Sequence, residues 1–149
     1  IVCRIFYFIS KIISMKNILE KKYSQRIYNI SFLTLISFCT AFLLNHYDFV
    51  VLTLCILVNS LNYWRHPIPG IRRQIDIFCV ILSFTYNTIR SFQSLYQSYY
   101  IITIFIGILC YLFARKCKSQ NLSSFIHCFV HIFANVANII LYIGLKKRY

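Results

Sequence analysis

The sequence predicts an all-α integral membrane helical bundle, with about five transmembrane helices behind an N-terminal amphipathic segment. Three observations carry that reading. Hydrophobic residues make up 59% of the 149-residue chain and charged residues only 13%, against roughly a quarter charged in a soluble domain. Mean hydropathy is +0.66. The basic residues fall in short clusters between apolar stretches, as membrane-flanking residues do. Together these exclude a soluble enzyme, a disordered tail and, despite a net charge of +13, a nucleic-acid module. The expected partners are membrane lipids, including anionic headgroups.

Residues 1–28 form a basic, cytoplasmic N-terminal segment, 29–145 the transmembrane domain and 146–149 a short basic tail. The chain opens on Ile1 rather than Met, so its true start is left open. Residues 1–15 are read as an interfacial amphipathic helix. Arg4 and Lys11 interrupt its apolar run, and no small-residue cleavage site follows it. Five apolar stretches then approach spanning length: 29–45, 49–64, 74–90, 99–114 and 124–145. A full crossing needs roughly 20 residues. The second and fourth are therefore expected to recruit Tyr63, Trp64, Tyr99 and Tyr100 as an interfacial belt. Strict alternation is absent, which excludes a barrel.

Counting Lys and Arg sets the orientation. Six precede the first span, three lie in the 65–73 loop and three follow the fourth span; Arg90 and the C-terminal trio make up the rest. With the N-terminus cytoplasmic, twelve are inside and four outside. The seven cysteines show no C-x-x-C spacing, so zinc-finger and disulfide frameworks are not expected. Most are read as small packing residues.

Polar residues at membrane depth are where function is sought first. In the last span His127, His131, Asn135 and Asn138 fall at i, i+4, i+8 and i+11, one stripe of a helix. Two His at i, i+4 can ligate one metal; they can equally bond a neighbouring helix. Asp76, Ser83 and Asn87 share a face of the third span, with Asp76 read either as functional or as a helix cap and arginine partner. At the end of the second span Asn59, Asn62 and His66 align if the helix persists, and Pro67, Pro69 and Gly70 then turn the chain. His46 is placed in the outer loop with no special role.

The topology gathers Ser60, His66, Asp76, His127 and His131 in the cytoplasmic leaflet. That arrangement resembles the CREST superfamily of membrane hydrolases, which includes alkaline ceramidases and adiponectin-receptor-like proteins. The resemblance rests on Ser60, on Asp76, and on His127 and His131 as H-x-x-x-H, with His66 as third histidine. His66 stands six residues after Ser60, where a ligand on the same face is expected about four residues on. The family has seven transmembrane helices against the five read here.

The resemblance implies a zinc-dependent hydrolase of a lipid amide or ester. Zinc would sit on His127, His131 and His66, Asp76 would be the proton acceptor, and Ser60 would donate to the oxyanion. The alternative is a non-enzymatic membrane scaffold or assembly subunit whose polar residues pack helices. A b-type haem on the histidines is the third reading.

Overall fold

The computed structural model describes residues 19–145. Its helices are α1 (Lys21–Ser31), α2 (Thr34–Leu43), α3 (Tyr47–Arg65), α4 (Ile71–Ser91), α5 (Gln97–Lys116) and α6 (Gln120–Gly144). No strand occurs among the described residues beyond one isolated bridge between Ser94 and Leu145. The expected helix over 1–15 and the tail 146–149 lie outside the described residues.

Four helical segments are long and apolar enough to cross a membrane: Lys21–Leu43, Tyr47–Arg65, Gln97–Lys116 and Gln120–Gly144. The first begins at Lys21 rather than near residue 29. Its basic residues are carried on the helix: Arg26 Nη1 reaches Asn121 Oδ1 at 3.0 Å and Ser124 Oγ at 3.1 Å on α6. The second and fourth are longer than the apolar runs that mark them. The third expected crossing is α4, whose 21 residues give about 31 Å at ~1.5 Å per residue. Its length suffices, but Arg72, Arg73, Gln74, Asp76 and Arg90 lower its apolar content.

A tightened turn separates α1 from α2. The amides of Phe32, Leu33, Leu35 and Ile36 each donate to the carbonyl three residues back, a tightened 3₁₀ turn. Ser31 Oγ donates to the Ile27 carbonyl at 2.8 Å, a back-bond that bends helices. Hydroxyls elsewhere make the same i−4 bond, among them Thr40, Thr53, Thr85, Thr88 and Thr103. A helix in lipid satisfies its hydroxyls this way when water is absent.

The helices are inside out relative to a soluble protein. On α4, Phe78, Leu82 and Ile89 are at least half exposed while Asp76, Ser83, Asn87 and Ser91 are buried. The face predicted from Asp76, Ser83 and Asn87 is the inward one. Buried Ser24, Ile27, Ser31, Thr34, Ser37 and Ala41 make a stripe of mostly small residues along α1 and α2, which lets this segment approach α3 and α6 closely. Helix α6 is central, packing against α5, α1 and α2, while α3 and α4 form a hairpin beside it.

Two apolar clusters close the ends of the bundle. Phe49, Tyr100, Leu141, Tyr142 and Leu145 lie near the 92–96 loop; Ile27, Tyr63 and Trp64 lie near the 65–73 loop. Tyr100, at 0% exposure, and Tyr63 and Trp64, at 9%, are therefore core residues rather than an interfacial belt. Tyr99 keeps the outward position expected of it.

Candidate functional site

Helix α3 buries Phe49, Thr53, Leu57, Ser60 and Trp64, one stripe at i, i+4, i+8, i+11 and i+15. Helices α4 and α6 flank it. Phe49 meets Tyr86 of α4 at 5.4 Å and Tyr142 of α6 at 4.6 Å between ring centroids. Four residues apart near the other end, Ser60 and Trp64 repeat the pattern: Ser60 bonds α4 and Trp64 packs against α6.

The first of these contacts is short. Ser60 Oγ donates to Asp76 Oδ1 at 2.6 Å, with both side chains buried, a length typical of a hydroxyl given to a carboxylate. Asp76 does not cap α4, since Gly70 holds the N-cap position and Asp76 stands in the second turn. The expectation of a capping role therefore falls.

The second contact is aromatic. Trp64 lies 5.2 Å from the His127 ring, Tyr111 of α5 6.2 Å from it and His131 5.4 Å from it. His127 and His131 thus share one face, as the spacing predicts. His66 is not with them. It follows α3 with φ −146° and ψ 85°, the extended geometry imposed by a following proline, and leaves the face that Trp64 continues. It is exposed and lines a surface cavity with Lys21, Ser24, Arg65 and Pro67.

Among the described residues no three His, Cys, Asp or Glu side chains are placed to hold one metal ion. A catalytic zinc takes three protein ligands and leaves one position open. Of the three predicted ligands, His127 and His131 lie together and His66 lies apart, and the α3 side chain against the pair is Trp64.

No family model, curated protein or solved structure matches this chain.

Two further pairs of polar residues bond across the seam. Ser37 Oγ donates to Asn135 Oδ1 at 2.6 Å, joining α2 to α6. Asn87 Nδ2 donates to Asn138 Oδ1 at 2.9 Å, joining α4 to α6. At the far end Asp48 of α3 accepts from Arg90 Nη1 at 3.1 Å and from the Tyr86 hydroxyl of α4. Sequence reasoning missed that cluster. It also missed His46, which is buried with a ring nitrogen 3.2 Å from the Tyr142 carbonyl oxygen.

Proposed function

We propose that this chain is a non-enzymatic, multi-pass membrane scaffold or assembly subunit with its N-terminus and 65–73 loop on the cytoplasmic side. One observation carries the reading: the buried polar residues bond across helices, pairing α3 with α4, α2 with α6 and α4 with α6. Such bonds hold helices together where lipid removes the hydrophobic drive between them. The α3–α4 hairpin supports a fifth crossing. Asp48 and Arg90 tie one end of it and Ser60 and Asp76 tie it near the other, so α4 returns through the thickness that α3 spans. The twelve-to-four split of basic residues favours the orientation.

The test is helix association in membranes. Splitting the chain within the 65–73 loop and co-expressing the halves should recover the assembled bundle, and Asp76→Leu should abolish that recovery. Recovery unaffected by Asp76→Leu would remove the ground for the proposal.

A second reading, the zinc-dependent lipid amide or ester hydrolase implied by the CREST resemblance, is favoured by one observation. Ser60 meets Asp76 across 16 residues of chain, and Trp64, one turn from Ser60, meets the H-x-x-x-H pair. Stoichiometric zinc in the detergent-purified protein, with turnover of ceramide or acyl-lipid analogues lost in Asp76→Asn, would put this reading ahead.

A further inference from the structure

The chain has three acidic residues against sixteen Lys and Arg, and the structure commits all three. Glu20 Oε2 pairs with Lys22 Nζ at 3.4 Å. Asp48 pairs with Arg90. Asp76 is buried under the Ser60 hydroxyl. Asp48 and Asp76 are thereby held away from the start of α1, and the one acid there, Glu20, is shared with Lys22.

Two cations converge at a cavity. A hollow of about 200 Å³ opens between the start of α1 and the end of α3, with Lys21 on one wall and Arg65 and His66 on the other. The two walls are 44 residues apart in sequence, so the fold assembles them. Helix α1 starts here with Glu20 at its N-cap position, whose side chain makes no cap bond and whose carbonyl accepts from the Tyr23 and Ser24 amides. The rest of the wall is apolar: Leu19, Pro67 and Ile68, with Ile68 63% exposed. The volume lies below the roughly 300–1,000 Å³ that encloses a drug-sized ligand and suits one end of a molecule.

We infer that this cavity binds a phosphate group, held by Lys21, Arg65 and His66, with the apolar wall taking the glycerol and upper acyl chain of an anionic phospholipid. The inference is independent of whether the helical seam is a scaffold or an enzyme. It assigns the anion to one end of the bundle, beside the 65–73 loop, rather than to basic residues spread along the membrane surface.

Native mass spectrometry of the full chain in neutral detergent tests it, with dioleoyl phosphatidic acid and dioleoyl phosphatidylcholine as probes. Wild type should retain one phosphatidic acid at least tenfold more tightly than phosphatidylcholine. Lys21→Gln with Arg65→Gln should weaken that retention about 30-fold, at about a factor of five for each surface cation. Lys116→Gln with Lys118→Gln, two cations outside the cavity, should leave it within twofold. A glutamine pair that fails to fold would be replaced by Ile68→Glu, which sets an anion in the cavity wall and should also eject the lipid. Inorganic phosphate at millimolar concentration is the competing arm. Displacement by phosphate supports the site with free phosphate as its occupant, and lack of displacement supports it with the lipid as occupant. Equal retention of the two lipids, or equal losses in the two glutamine pairs, would overturn the inference.

Discussion

Ser60 links α3 to Asp76 of α4 at the end of the hairpin nearer the 65–73 loop, at 2.6 Å with both side chains buried. Each satisfies the other. The consequence is asymmetric, because removing one partner strands the other in a place without water.

Ser60→Ala should therefore destabilise the protein by about 1–3 kcal/mol, the cost of an unsatisfied buried polar group. Asp76→Asn should cost less, since an amide oxygen can still accept the hydroxyl. Thermal unfolding in detergent, followed by circular dichroism, compares the two. If Ser60→Ala unfolds with the wild type, the contact contributes nothing to the fold.

The pair between Asn87 and Asn138 behaves differently. Asn87 Oδ1 already has no hydrogen-bond partner although it is buried, so this bridge is incompletely satisfied. Interhelical bonds in membranes average about 0.6 kcal/mol and reach ~1.7. Asn138→Leu alone should cost close to the upper figure, because it leaves the whole Asn87 amide stranded. Adding Asn87→Leu should restore most of that loss. A double variant weaker than the single would show that the bridge does more than it costs.

Helical period explains what was legible in advance. Asp76, Ser83 and Asn87 were assigned to one face from offsets of seven and eleven, and that face is the buried one. The same logic placed His127 beside His131. Period could not see where a helix stops. The extension of the second span to His66 failed because Pro67 forces the preceding residue out of helical geometry. Trp64 was misassigned for a related reason. A tryptophan beside an arginine at a span end resembles an interfacial anchor, and only its position four residues after Ser60 marked it as inward. The Asp48–Arg90 pair needed the hairpin's pairing as well as its topology, and nothing local in either residue supplied that.

Gly144 is fixed by close approach. A Cβ there would strike Ser94 Oγ and lie 3.0 Å from Tyr96 Cδ2 and 3.1 Å from the Tyr96 amide nitrogen. The Leu95 amide donates to the Gly144 carbonyl at 2.9 Å in the same place. Gly144→Ala should push the 92–96 loop off the end of α6 and expose it to protease. Combining Gly144→Ala with Ser94→Gly should recover part of the stability, since the Tyr96 contacts remain. Limited proteolysis with no change in Gly144→Ala would contradict the packing described for this loop.

The orientation can be read at Ile68, which is exposed in the loop between α3 and α4. Ile68→Cys, in a chain whose other cysteines are replaced, should react with a membrane-impermeant maleimide only after the cells are opened. Position 70 is less suitable, because Gly70 has φ +147° and a side chain there is strained. Labelling of Ile68→Cys in intact cells would invert the bundle and place the cationic cavity on the outer surface.

The metal question turns on Trp64 rather than on the histidines. His127 and His131 already share a face, and the α3 side chain opposite them is an indole, which donates one N–H and offers no lone pair to a metal. Two imidazoles alone leave a zinc ion short of the three protein ligands that catalytic sites use. The wild type should then hold zinc far below one ion per chain after purification. Trp64→His starts from the same backbone position, 5.2 Å between ring centroids from His127, and directs a third imidazole at the pair. It should raise zinc content toward one ion per chain, and His127→Ala in that background should remove it again. His46→Ala should not, because His46 lies at the opposite end against Tyr142. The packing lost with the indole works against this gain, so thermal unfolding is measured with and without zinc, and binding to the folded state should appear as a rise in melting temperature. Stoichiometric zinc in the wild type would show that two histidines and a ligand from outside this set suffice. It would shift the balance from scaffold to hydrolase.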